Sequence, residues 1–174
     1  MRDAAMVTPA ELRKACAAFG TGVTVVTTRE ADRDYGMTVN AFLSLSLDPP
    51  LIGICIGLRA RMLTRIQATG RFAVSVLSDD MADLAWHFAG RGSGATVPAF
   101  DDVAGLPIVR GAQAHFVTRL HATIPVGDHL LFVGAVETAS RTADNRPLMF
   151  HNAAFGALIA PDAKEGAAPL RAVG

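Results

Sequence analysis

The chain has 174 residues, the size of one domain that can bury a substantial core. Its 16 basic and 16 acidic residues cancel, and no Lys/Arg block concentrates the positive field a phosphate backbone requires, so nucleic acid is excluded as a partner. Hydrophobic residues make up 51% and charged residues 18%, a balance that predicts apolar surface buried against another subunit.

Thr8-Pro9-Ala10-Glu11 opens the first predicted helix with a capping box and a proline in the first turn. Leu12, Ala15, Cys16 and Phe19 share one face of it, and Gly20 and Gly22 end it. The β-branched run from Gly22 to Thr28 predicts a strand, Arg29 to Asp34 a charged turn, and Tyr35 to Phe42 the returning strand. Leu43-Ser-Leu-Ser-Leu47 alternates with period two, as a half-buried strand does. Asp48-Pro49-Pro50 stops it, and Leu51 to Gly57 follows as a continuously apolar strand. A short helix spans Arg59 to Ala68, a strand Phe72 to Leu77, and Ser78 caps a second short helix carrying Met81, Leu84, Ala85 and Phe88. Gly90 to Asp102 reads as loop. Ala112 to Ile124 is a long strand, Pro125 to Asp128 a turn, His129 to Ser140 its partner, and Phe155 to Ile159 a last short strand.

Strands joined by short turns predict a mainly β protein with short helices, arranged as a barrel. The missing βαβ alternation argues against a doubly wound sheet. One domain is expected over residues 1–160, and the Ala/Pro/Gly-rich residues 161–174 are expected to be a disordered tail. The N-terminus has no apolar h-region, and the longest apolar run, Leu51 to Leu58, is too short for a bilayer. These features predict a cytoplasmic protein without a membrane partner. Cys16 and Cys55 are far apart, fit neither CxxC nor a disulfide framework, and are expected as buried thiols.

Gly20-Thr21-Gly22 fails as GxGxxG because Val25 occupies the third glycine position, and Gly90 to Gly94 has neither the pattern nor the strand before it. GxxxxGK[ST] and GxSxG are absent from the sequence. The five histidines form no ligand spacing, although His115 and His121 share strand parity, so no metal site is expected.

Gly36 to Leu51 is more informative: Thr38, Asn40, Ser44 and Ser46 stand among apolar residues. Either their side chains satisfy local backbone and Asn40 fills a turn, or they form a polar rim under a flat heterocycle. Arg59-Ala60-Arg61 lies between an apolar strand and a helix start. It is either solvated surface or a phosphate site made of helix N–H groups and a guanidinium.

Four segments, Phe19 to Thr28, Gly36 to Phe42, Ser44 to Pro50 and Gly127 to Gly134, resemble the short-chain flavin reductase family. These are the reductase components of two-component flavin-dependent monooxygenases, such as phenol and 4-hydroxyphenylacetate hydroxylases. The resemblance runs from about Glu11 to about Leu158. It implies an FMN-binding split β-barrel, a homodimer, and hydride transfer from NADH or NADPH to FMN or FAD for a separate monooxygenase. Thr38, Val39, Asn40, Ala41, Phe42, Ser44 and Leu45 match the family's flavin-contacting segment. Arg59, Ala60, Arg61 and Met62 match its phosphate-side loop, and Phe88 and Ala89 a second flavin contact. His129 and His151 fall where the family brings side chains near flavin and nicotinamide, which implies orienting or polarising roles.

The chain departs from the family pattern at Ser75, where Asn is common, and at Asn152 to Gly156, which lacks a basic residue. The second departure favours NADH over NADPH. Two other readings stay open: a non-catalytic flavin-binding module, and a pyridoxamine-phosphate-oxidase-like enzyme on a related barrel.

Overall fold

The computed structural model describes residues 7–92, 99–141 and 146–158. Helix α1 (Pro9–Cys16) opens with the predicted capping box: Thr8 accepts from the Glu11 N–H, and Glu11 reaches back to Thr8. It ends sooner than its apolar pattern suggests and buries none of its residues; Phe19 is 76% exposed beyond it. Strand β1 (Thr21–Gly22) is short, and β2 (Thr24–Glu30) and β3 (Arg33–Val39) form a hairpin in which Glu30 faces Arg33. The predicted charged turn therefore shrinks to Ala31 and Asp32, both with positive φ, the backbone that suits the strands' right-handed twist.

Asn40 and Ala41 separate β3 from β4 (Phe42–Leu47), which returns along β5 (Pro50–Gly57) after a cis Asp48–Pro49 bond. Helix α2 (Arg61–Thr69), β6 (Arg71–Val76), a 3-10 turn (Asp79–Met81) and α3 (Ala82–Phe88) follow. The Ser78 hydroxyl donates to the Asp80 carboxylate and does not cap the helix. At the end of the predicted loop and in the stretch after it, for which no element was expected, β7 (Phe100–Val103) and β8 (Leu106–Val109) make a hairpin; residues 93–98 of that loop lie outside the described residues. The long hairpin pairs β9 (Ala114–Val126) with β10 (His129–Arg141). Val126 faces His129, so the turn is Gly127 and Asp128 alone, and Gly127 takes the left-handed φ of +58°. Last come β11 (Leu148–His151), which was not predicted, and β12 (Ala154–Ala157). The expected tail lies outside the described residues.

Seven strands form one antiparallel sheet in the order β3-β2-β6-β9-β10-β5-β4, and β1-β11-β12 form a second. The fold is of the split-barrel type: the large sheet curls about a core, but its edge strands β3 and β4 are not hydrogen-bonded, so the barrel is not closed. Period-two alternation decides which side chains enter. Ile52, Ile54 and Ile56 of β5 point inward, where they meet Phe72, Phe132 and the buried Met62, Leu63 and Ile66 of α2. The opposite face of β5 is only half covered at Leu51 and Cys55, so this strand is not buried on both sides as its apolar run suggests. Across β2, Val23 and Val25 enter a second core under α3 with Leu77, Ala85 and Leu148. Ser75 is fully buried and its hydroxyl accepts the Val109 N–H at 2.9 Å, tying the β7–β8 hairpin to the sheet.

Candidate flavin site

Two clefts open where the small sheet meets the β3–β4 junction. The larger, of about 850 Å³, runs between the end of α1, the β1 segment and Asn40 to Leu43. Its far wall is Phe150 and Ala153 of the β11–β12 hairpin, and among the described residues Arg13 is the only charged one that lines it. The smaller, of about 310 Å³, shares Val23, Asn40, Phe150 and Ala153 with it and continues past Thr38, Trp86, Ala89, Arg91 and Phe155. Asn40 therefore stands on the seam. Its amide donates to the Thr21 hydroxyl at 3.3 Å, leaving a second N–H and the carbonyl for a ligand.

Backbone pairing gathers a further group beside this seam. The Cys55 N–H donates to Ala41 O at 3.0 Å, and two residues on, Gly57 faces His129 across the sheet. The Leu58 N–H donates to Asp128 O, and the Ala60 N–H to Gly57 O. The start of α2 and the β9–β10 turn thus sit together. Ala60 is the N-cap of α2 and supplies no side-chain acceptor; the Leu63 N–H turns back to Ala60 O at 3.1 Å, and the N–H groups of Arg61 and Met62 before it have no side-chain cap, with Arg59 and Arg61 exposed beside them. His129 Nδ1 lies 2.7 Å from Asp128 Oδ1. The His129 hydrogen bond, then its charge, and lastly the Arg59 charge hold the Asp128 carboxyl below its ordinary value. Burial pushes the Cys55 thiol up, and the Asp128 charge adds to this.

The expected site residues divide. Asn40, Ala41 and Phe42 line the larger cleft; Thr38, Asn40 and Ala89 line the smaller. Thr38 also serves the backbone, its hydroxyl donating to Ala85 O at 2.6 Å, so its side chain satisfies local backbone while it lines the smaller cleft. Ser44 and Leu45 continue along exposed β4 beyond either cleft, and Leu45 stands in a bulge skipped by the pairing to β5. Leu43 and Leu45 lie over Gly53 on the outer face and leave the β4 surface open, where a half-buried strand was expected. Val39 and Met62 turn into the core. Phe88 packs over Gly36 and 5.9 Å from Phe100; only its neighbour Ala89 reaches a cleft. His151 is exposed at the end of β11, and among the described residues no hydrogen bond or ring contact joins it to His129. His115 is buried and His121 exposed in a bulge, so the two do not line one face. Cys16 is exposed and lines the larger cleft, against the expectation of burial.

Sequence reasoning passed over Arg13, Phe150, Ala153, Trp86, Arg91 and Phe155. Trp86, as the single tryptophan, was the one composition signal among them.

The model of the flavin reductase like domain matches residues 16–158, from α1 through the end of β12. The chain belongs to this family. An NADH-dependent flavin reductase from a Rhodococcus species is 42% identical over 155 residues, covering 87% of this chain and 88% of its own. The reductase component of 4-hydroxyphenylacetate 3-monooxygenase from Thermus thermophilus is 37% identical, covering 86% of this chain and 96% of its own. Among solved structures, the flavin reductase PheA2 in its native state superposes with a TM-score of 0.85 at 36% identity, covering 88% of this chain and all of that one. The NADH:FAD oxidoreductase SgcE6 of Streptomyces globisporus superposes at 0.80 with 38% identity, covering 96% and 98%. As a member of the family, the chain is similar throughout its described length to reductases that act with NADH on FAD or FMN.

Proposed function

We propose that this protein is an NADH-dependent flavin reductase that reduces FMN or FAD and releases it to a separate flavin-dependent monooxygenase. The observation that carries the reading is an apolar cleft bordered by Asn40 to Phe42, beside an uncapped helix N-terminus and His129. Its volume of about 850 Å³ lies within the range of nucleotide-sized ligand sites. The residues fit a flavin nucleotide: apolar walls for the flat ring, Asn40 for its polar edge, and N–H groups with Arg59 and Arg61 for the phosphate. When both are bound, the nicotinamide supplies a hydride that the flavin accepts.

The chain's own task is to stack two flat rings and keep water out, which is worth roughly 7 to 11 kcal/mol at the upper end of proximity effects. No strong general base is needed. His129, paired with Asp128 in the β9–β10 turn, orients the nicotinamide; His151, at the end of β11, is the second candidate for that role. Val39, Ser44, Leu45, Met62 and Phe88 support the flavin segment from the core and from β4.

The protein works as a homodimer in the cytoplasm, where NADH is supplied. Exposed Leu43, Leu45, Leu47 and Leu58 support the dimer: so much apolar surface is costly in water. Steady-state oxidation of NADH with excess free FMN or FAD tests the function. Many turnovers per protein are expected; a single reduction or none would make it a flavin-binding module, and amine oxidation without nicotinamide would make it an oxidase. Light scattering that shows a stable monomer would remove the dimer.

A further inference from the structure

Hydride transfer to a flavin creates a charge, and the larger cleft holds one cation placed to meet it. A hydride carries two electrons and one proton, so NADH leaves as NAD+ and the flavin that receives the hydride at N5 takes up one negative charge. That charge spreads over N1 and the C2 carbonyl until a proton arrives from water. A developing charge is stabilised best by a fixed cation in an apolar surround. Among the described residues that line the cleft, Arg13 is the only charged one, and no carboxylate is there to oppose it. Cys16 is the other titratable group, and much of the wall is apolar, with Phe19, Val23, Leu43 and Phe150 in it.

Arg13 stands in the last turn of α1 beside Lys14, where either cation suits the helix end, but Lys14 does not line the cleft. The Asn152 N–H donates to Ala17 O at 3.0 Å and ties the end of α1 to the β11–β12 turn on the cleft's far wall. Among the described residues no carboxylate pairs with the Arg13 guanidinium, whereas Arg29, Arg65, Arg71, Arg110 and Arg146 each hold one. The helix thus presents an uncommitted cation to an apolar cleft.

We propose that Arg13 is an electrostatic catalytic residue, whose guanidinium stabilises the negative charge of the reduced flavin ring in the larger cleft. The proposal rests on the reading of that cleft as the flavin seat. A contact with the ring's charge strengthens when the flavin is reduced, whereas a contact with the phosphate is the same in both states.

Titration of the full chain with oxidised FMN, and anaerobically with FMN reduced by dithionite, measures both affinities without NADH. Arg13→Gln should weaken reduced FMN about tenfold more than oxidised FMN, the scale of one charge-assisted contact. The midpoint potential of the bound flavin then falls by about 30 mV, the value of tenfold for a two-electron couple. Riboflavin has the same ring and no phosphate, so it should show the same difference. Arg13→Lys keeps the charge and should retain most of the preference for reduced flavin. Lys14→Gln removes the same charge beside the cleft and should leave that preference within about twofold, as for an exposed, screened charge. Four results overturn the proposal: equal loss of oxidised and reduced FMN in Arg13→Gln, no loss of either, a riboflavin preference that does not move, or Lys14→Gln matching Arg13→Gln. A wild type that binds neither form of flavin overturns it as well. A wild type that binds flavin but does not oxidise NADH removes the reductase reading alone and leaves Arg13 to be judged by the two affinities.

Discussion

Placing an acceptor at Ala60 should push stability and flavin affinity in opposite directions. Ala60 is the N-cap of α2, extended at φ −76° and ψ 131°, with no side-chain hydrogen bond to the helix. Ala60→Asp supplies the missing cap, worth roughly 0.5 to 2 kcal/mol, and a negative charge at the positive helix end, worth roughly 0.3 to 1 kcal/mol. For a domain of this size each kcal/mol moves Tm by roughly 2 to 4 °C, so a rise of several degrees is expected. The same carboxylate occupies the N–H groups that the flavin phosphate would use and repels the phosphate itself. Loss of charge-assisted hydrogen bonds of roughly 1.5 to 3 kcal/mol raises the KM for FMN about ten- to a hundredfold. The phosphate is remote from the reacting ring, so it binds ground and transition states alike and kcat should hold. Riboflavin, which lacks the phosphate, should be indifferent. Ala60→Ser separates the two causes, because it caps without charge. Thermal melts and steady-state kinetics with both flavins make the measurement. A protein that is stabilised while its KM for FMN stays put, or that loses riboflavin equally, would refute the phosphate assignment at α2.

The remaining predictions use other parts of the structure. Arg61→Ala should weaken FMN by about one to two orders of magnitude and spare riboflavin, as read by flavin titration. Gly134 is buried on β10, where an added Cβ would lie 2.6 Å from the Phe72 ring and 2.8 Å from Thr118. Gly134→Ala should therefore cost roughly 1 to 3 kcal/mol by chemical denaturation, far more than Gly57→Ala, whose nearest atom is 3.6 Å away. Cys16 is exposed and Cys55 half-buried with a raised pKa, so iodoacetamide near pH 7.5 should label Cys16 first by mass spectrometry, and bound flavin should slow it. Asp128 titrates below its ordinary value because of His129. A depressed carboxyl stabilises the fold above its unfolded value and loses this as pH falls through the folded one, so the contact should survive at neutral pH. His129→Ala should return the Asp128 carboxyl, followed by NMR, toward the ordinary value, raise the KM for NADH and lower kcat.

Local patterns in the chain were enough for the helix at Thr8 to Cys16, the strands from Thr24 to Gly57 and the long β9–β10 hairpin. Capping chemistry and β-branched runs act over a few residues, so they are legible without knowledge of the rest; the turns were placed but read too long, because strand pairing closes them to Ala31-Asp32 and Gly127-Asp128. The family motifs added the flavin segment and the start of α2, again because each is one continuous stretch.

Tertiary structure decided the rest. The β7–β8 hairpin and β11 are four residues each, too short for a periodic signal, and they exist because Ser75, Thr27 and Leu148 anchor them to the sheet. Phe88 sits beside Ala89 in sequence, yet only the Cβ-free Gly36 opposite it, fifty-two residues earlier, turns its ring away from the cleft. The walls of the two clefts join Arg13, Asn40, Trp86 and the hairpin that carries Phe150 and Ala153, segments far apart in the chain that become neighbours only when the two sheets pack. Local propensity works residue by residue; a surface made of four separate segments is a property of their packing.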